Sequence, residues 1–431
     1  AYHNKRAAEL RVAVVGTHPP SQNTLTEYGY HFIRHLRAKP DVSEVILICD
    51  ELPAGESYQI PGESGLAPVT VVPAWKFGAW NNALRIWKAI RQQKPDVVLF
   101  NIQFASFASS KLIAALGLAA PALSRAAGYP TITLLHNIME TVNLKQAGFA
   151  GNPLMEALTR AAGKFFTRLL LRSDEVAVTI PKYVEILQKE YKTDKVVLAP
   201  HGAFNQTPEP VFDPNPAVLR LMTFGKFGTY KKVEDLVEAF QKLQARYSQP
   251  MELVIAGTDS PNTPGYLAGV QQQYAQVNNL RFTGYVPEEA IADLFTDSTV
   301  VIFPYTSTTG SSGVLHQAGE YGKAVVLPRL GDLAELVTEE GYSGEFFEPG
   351  NIDSLVNAIS TLLDNPPYRE EMGMRNYLAA QGLPMADVVD WYLVNFYYLL
   401  AQREQEQQPK TQTPLTVAPA ATSRTSTRIT V

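Results

Sequence analysis

Apolar residues along this chain fall into short, dense runs separated by longer amphipathic stretches. LRVAVVG (10–16), EVILIC (44–49), PDVVLF (95–100), TITLLH (131–136), EVAVTI (175–180) and KVVLAP (195–200) are rich in β-branched residues at consecutive positions. Runs of this kind suit strands buried on both faces, and the stretches between them carry helical spacing. The pattern predicts a parallel sheet covered by helices on both sides. Residues 206–218 lie in the proline-rich text AFNQTPEPVFDPNPAV and read as a linker. The alternation then restarts with LRLMTFG (219–225), MELVIAG (251–257), LRFTGYV (280–286), TVVIFPY (299–305) and KAVVLP (323–328). The predicted fold class is therefore α/β, with two doubly wound, Rossmann-like domains facing a cleft. The first domain spans 1–205 and the second 219–384. Apolar spacing in MADVVDWYLVNFYYLLAQ (385–402) predicts a last helix that crosses back to the first domain. Residues 403–431 are poor in bulky apolar side chains and are expected to be a disordered tail.

Composition changes this picture mainly by exclusion. The chain has 431 residues, 45% of them hydrophobic and 18% charged, which is too long for one core. A formal net charge of -5 argues against nucleic acid as a partner, so any anion site must be local. The single cysteine, Cys49, excludes an internal disulfide and agrees with a reducing compartment. No apolar run is long enough to span a bilayer, and AYHNKRAAEL at the start carries no signal-peptide apolar region. A cytoplasmic location is expected on these grounds.

Ligands of open parallel sheets bind beyond the carboxyl ends of the strands, so the residues standing there carry the functional argument. Lys226 and Lys231 come after the strand run 219–225, and Gly257 and Thr258 end the run 251–257. Gly310, Ser311, Ser312 and Gly313 form a bare, hydroxyl-lined turn between a strand and a helix. Glycine lets backbone approach a ligand closely, and helix-start N–H groups attract anions. Two lysines, two serine hydroxyls and such a helix start together make a cradle for a diphosphate. In the first half, Gly29 precedes a helix and would let backbone approach phosphates, while His136 ends a strand. Asn101 and Gln103 are amides at a cleft lip, suited to a hydroxyl-rich acceptor. The first loop lacks G-x-G-x-x-G, which argues against a nicotinamide-type dinucleotide site. No Asp-x-Asp pair stands at a strand end, so neither a metal nor a cofactor is expected. Arg160, Lys164, Arg168 and Arg172 recur at helical spacing within 152–175. They suit either a solvated helix edge or a peripheral contact with an anionic membrane surface at the inner face.

FGKFGTYKKVEDLVEAF, LVIAG, LRFTGYVPEEAIADLFTDSTVVIFPY and SSGVLHQAGEYGKAVVLP resemble the donor-binding half of retaining glycosyltransferases of the GT-B fold, family 4 type. The resemblance covers roughly residues 10–402 and is strongest over 219–350. It implies a sugar nucleotide in the interdomain cleft and transfer of its sugar to an acceptor hydroxyl, with retention. The acceptor would be a glycan or a lipid-linked molecule. By position, Lys226 and Lys231 would neutralise the departing diphosphate. Gly284, Tyr285 and Val286 match the segment that holds the nucleobase, and His136 would orient the donor sugar. Thr309 and Gly310 would lie beside that sugar, and His201 and Gly202 match the step into the second domain, where a structural role is expected. One departure stands out: Thr309 and Gln317 occupy the positions where the family carries a pair of glutamates. Gln317 can still bond a ribose hydroxyl, but Thr309 supplies no carboxylate, and Glu320, one turn further on, is not expected to replace it. Two other readings stay open on the same fold: a binding or regulatory subunit, which the missing glutamate favours, and a sugar-nucleotide epimerase.

Overall fold

Alternate residues of each central strand enter opposite cores, which is why the strands read as unbroken apolar runs. In β1 (Leu10–Val15), Val12 and Val14 join one apolar cluster while Ala13 and Val15 join the cluster across the sheet. The computed structural model describes residues 9–138, 153–307 and 312–407. After β1 come α1 (Thr26–Leu36), β2 (Val42–Asp50), β3 (Val69–Trp75), α2 (Asn82–Gln93), β4 (Val97–Ile102), α3 (Lys111–Gly117) and α4 (Ala120–Ala126). The first domain continues through β5 (Thr131–Leu135), α5 (Pro153–Leu170), β6 (Glu175–Val178), α6 (Pro181–Tyr191) and β7 (Val196–Leu198). Its strands are all parallel, in the order β3-β2-β1-β4-β5-β6-β7.

The second domain repeats the plan. Its elements are β8 (Leu219–Phe227), α7 (Glu234–Arg246), β9 (Met251–Asp259), α8 (Tyr266–Gln273), β10 (Leu280–Phe282), α9 (Glu288–Thr296) and β11 (Val300–Ile302). Then come α10 (Gly313–Glu320), β12 (Ala324–Pro328), α11 (Gly331–Glu339), β13 (Glu345–Phe347), α12 (Ile352–Asp364), α13 (Pro366–Gln381) and α14 (Met385–Gln407). The order is β10-β9-β8-β11-β12-β13, again parallel. In both sheets the winding reverses beside the first strand, between β1 and β4 and between β8 and β11. Those two reversal points are where a doubly wound sheet opens a crevice.

Strands β3 and β13 are absent from the sequence reading. Both are edge strands, β3 largely half-buried and interrupted by Pro73, β13 only three residues long. An edge position tolerates proline because one backbone side needs no partner.

The last helix does cross back: Val388, Val389, Tyr392 and Phe396 join the cluster of Val12 and Val14 on the first sheet. It runs five residues past the predicted end, so 403–407 are helical rather than disordered. The reason is Arg403, whose guanidinium donates to the carbonyls of Gly128 and Tyr129 and to Asp174, the last at 2.8 Å. The remaining predicted tail, 408–431, lies outside the described residues. The two chain crossings between domains run side by side: Ala203 N–H donates to Leu383 O at 2.8 Å, and Met385 N–H to Ala203 O at 2.7 Å.

Candidate functional site

Two glycines open the second domain's wall of the cleft. Gly257 has φ 129°, and a Cβ there would lie 1.9 Å from the Gly225 carbonyl oxygen, so the ends of β8 and β9 meet backbone to backbone. Gly225 has φ 145°, and its own Cβ would lie 2.7 Å from Lys231 Nζ. The missing side chain is thus the passage through which Lys231 reaches the strand end. Lys231 Nζ sits 4.9 Å from the Tyr305 ring centroid, a cation–π contact. The Tyr305 hydroxyl is 3.2 Å from Ser312 Oγ, immediately before α10. Lys226 is largely buried next door, and burial pushes its pKa down to about 8, with the Lys231 charge adding to the fall. Lys231 and Ser312 thus meet on either side of Tyr305, with Lys226 close enough to Lys231 to feel its charge. Thr309, Gly310 and Ser311 lie outside the described residues.

Opposite, the ends of β1, β4 and β5 form the floor. His136 Nε2 lies 2.7 Å from Asn101 Oδ1. An amide oxygen only accepts, so Nε2 carries the proton and Nδ1 is left as an acceptor. Burial pushes the His136 pKa down to about 3, so the ring is neutral in any ordinary buffer. Asn101 is 2% exposed, on the floor rather than at the predicted lip, and its Nδ2 has no partner. Gln103 sits in a tight turn, its N–H donating to Ser106 Oγ at 2.9 Å. Tyr28 of α1 packs edge-on to His136 at 4.6 Å and to His201 at 4.9 Å, and its buried hydroxyl is also unpartnered. Gly29 has a reason nearer to hand than phosphate: a Cβ there would lie 2.0 Å from the Thr17 carbonyl oxygen. Its bareness seats α1 against the loop after β1.

That loop closes onto the second domain. Asp50, at the end of β2, accepts from Ser21 Oγ at 2.6 Å and Asn23 Nδ2 at 2.7 Å and holds the loop in shape. Lys226 Nζ then donates to the carbonyls of Gln22 and Asn23, the latter at 2.6 Å. Nearby, Gln317 Nε2 donates to Glu27 at 2.6 Å across the cleft, leaving its buried Oε1 unpartnered. Gly313 faces His201, whose Nε2 would lie 3.1 Å from a Cβ there. His201 stacks on His316 at 4.6 Å, and Gly202 presses on α14 beside Val388, so both serve the joint between domains. Glu320 serves it too: Oε1 accepts from the N–H groups of Phe204 and Asn205 at the start of the linker. That use explains why it does not reach the donor side.

In the segment expected to meet the nucleobase, Gly257 N–H donates to Gly284 O at 3.1 Å, which brings 284–286 beside the strand end. Thr258 stands in register with Lys226, Tyr285 is exposed on the rim, and Val286 packs against the core. On α5, Lys164 pairs with Glu190 at 2.5 Å and Arg168 lies over the Tyr191 ring, so part of the basic ridge is answered within the fold. Among the described residues no helix is long and apolar enough to cross a membrane. Sequence reasoning missed Tyr28, Glu27, His31, Asp50 and Glu288. Glu27 and His31 stand one helical turn apart, which was readable, but their partner Glu288 comes from the other domain.

Residues 219–365 match the family described as Glycosyl transferases group 1. The chain has the GT-B fold. Its likeness to sucrose-phosphate synthase from Thermosynechococcus elongatus has a TM-score of 0.71 at 17% identity and covers 91% of this chain and all of that one, 100%. Anabaena HepE, solved with UDP-glucose, gives a TM-score of 0.62 at 16% identity, covering 91% of this chain and 100% of that chain. Sulfoquinovosyl transferase SQD2 of Arabidopsis thaliana is 31% identical over 94 residues, 21% of this chain and 18% of its own length. The match thus spans under a fifth of that relative. At such identities the structural likenesses establish the GT-B fold, and the matched segment covers the wall that carries Lys226, Lys231, Ser312 and Gln317.

Proposed function

We propose that this protein transfers a sugar from a nucleoside diphosphate to an acceptor hydroxyl in its interdomain cleft, with retention and without a metal acting at the diphosphate. The observation that carries the reading is that Lys226, Lys231 and the α10 mouth stand at the strand ends beside the reversal point between β8 and β11, with Lys226 reaching across to the first domain. Two cations and a ring of N–H and hydroxyl donors suit a leaving diphosphate. On opening, Lys226 exchanges the carbonyls of Gln22 and Asn23 for phosphate oxygens. Asn101 Nδ2, Gln317 Oε1 and the Tyr28 hydroxyl lack partners in the closed protein and suit the hydroxyls of a sugar nucleotide. Neutral His136 orients a sugar hydroxyl through Nδ1. The sugar C1–O bond to phosphate breaks as the acceptor oxygen bonds C1 from the same face. The acceptor proton passes to the departing phosphate oxygen.

UDP is the first base to test, since the similar Anabaena HepE was solved with UDP-glucose. The experiment is calorimetric titration with UDP, GDP and ADP, then donor hydrolysis and transfer assays with the matching sugars. Lys226→Ala and Lys231→Ala should each slow turnover about a hundredfold, as loss of one preorganised electrostatic donor does. Nucleotide binding without turnover across donors and sugar-phosphate or glycan acceptors would instead support a binding subunit, for which Thr309 in place of a glutamate speaks.

A further inference from the structure

Beyond that cleft chemistry, α1 and α9 bring together three side chains of metal-ligating type. Glu27 and His31 lie one turn apart on α1, and Glu288 opens α9 in the other domain. Their nearest ligand atoms all lie within 4.8 Å of one another. His31 is fully buried. Its ring stacks on Phe204 at 4.2 Å with an interplanar angle of 10°, and Tyr30 meets it edge-on at 4.9 Å. Those two contacts fix the plane of the imidazole. Yet neither ring nitrogen makes a hydrogen bond. Nε2 lies 3.0 Å from Glu288 Oε1, close enough but out of alignment. Two carboxylate oxygens and the nitrogen of a buried imidazole without a hydrogen bond thus lie within one ion's reach of one another.

We propose that Glu27, His31 and Glu288 bind a divalent transition-metal ion of the zinc type that ties the two domains together. One imidazole nitrogen with two carboxylate oxygens suits zinc better than magnesium or calcium, which prefer all-oxygen sets. Tetrahedral zinc at about 2.1 Å would space its ligands by about 3.4 Å, so the three atoms need draw in by roughly 1 Å. Gln317, donating to Glu27 at 2.6 Å, orients that carboxylate from behind. A water would complete a four-coordinate site. Since α1 and α9 supply ligands from opposite domains, binding favours the closed arrangement.

The test is equilibrium dialysis of EDTA-stripped protein against zinc chloride, with bound metal measured by mass spectrometry and no nucleotide present. Wild type should bind one equivalent and gain thermal stability with zinc. Glu288→Gln, on a partly exposed helix start, and His31→Phe, which keeps the ring stack, should each bind at least tenfold more weakly. Both should lose the thermal shift while keeping the wild-type circular dichroism. No stoichiometric binding by wild type, or equal binding by wild type and the Glu288→Gln variant, overturns the proposal. Because the measurement needs no nucleotide, it fails or succeeds apart from the donor reading.

Discussion

Lys226 gives the sharpest test of the diphosphate cradle, because its charge is set by burial. The pKa of about 8 means that the side chain is charged near neutrality and mostly neutral at pH 9. A tenfold change in the protonated fraction for each pH unit above the pKa is worth about 1.4 kcal/mol. Phosphate groups are already ionised above pH 7, having a second pKa of about 6, so they add little over this range. If the ammonium must be present to meet the diphosphate, UDP affinity should fall roughly tenfold between pH 7 and pH 9. Lys226→Arg keeps a charge that does not titrate there, so its affinity should stay level. The assay is isothermal titration with UDP from pH 7 to pH 9 in EDTA buffer, wild type beside the arginine variant. Any titration of the ligand or of other groups appears in both proteins and cancels in the ratio. Parallel pH profiles would refute the reasoning, whatever the absolute affinities.

Three further outcomes rest on named contacts. His136→Ala removes the ring that pairs with Asn101 and should lower transfer about a hundredfold while UDP affinity changes little, read by steady-state kinetics beside calorimetry. Gly257→Ala places a Cβ into the Gly225 carbonyl at a φ that L-residues avoid, and should cost about 2–4 kcal/mol in urea unfolding; an unchanged midpoint would contradict the geometry. Glu320 is pushed up to about 7 by burial, so its contribution to stability is complete below its unfolded pKa and is lost as pH rises through 7. Glu320→Gln should therefore soften the fall in melting temperature from pH 5 to pH 8, whereas equal slopes in both proteins would assign that fall elsewhere.

The sheets were legible because burial on both faces writes itself into consecutive apolar residues, as in Val12 to Val15 or Leu253 to Ala256. Edge strands escape that logic: β3 keeps one side half-exposed and admits Pro73, so its pattern is that of a loop. Lys226 and Lys231 were legible because the strand-end rule needs only a strand and the few residues after it. Gly257 was legible as a glycine, but not for its cause, which is the carbonyl of Gly225 on the neighbouring strand. Gly29 likewise answers to Thr17. Contacts between the domains were not legible at all. Nothing local in PEEA marks Glu288 as the partner of His31, and nothing in AGEYGK says that Glu320 reaches the linker rather than the cleft.

Those cross-domain contacts divide into two kinds with different energetics. At the hinge, backbone groups pair between Ala203 and the 383–385 segment, and Glu320 caps the linker in a buried setting. Buried hydrogen bonds are costly to break, because the freed groups stay out of water. Across the cleft mouth the ties include single polar pairs, Lys182 with Glu335 at 2.7 Å and Ser109 with Asn262 at 2.6 Å. Such pairs near solvent contribute little each, because water repays most of the lost interaction. A joint that resists and a mouth that yields will open by rotation about the hinge, not by separation. Closure then depends on the occupant of the cleft. A diphosphate bound under Lys226 and Lys231 as proposed would give the ammonium groups anionic partners in place of neutral carbonyls, so the closed state would gain most with the proposed donor in place.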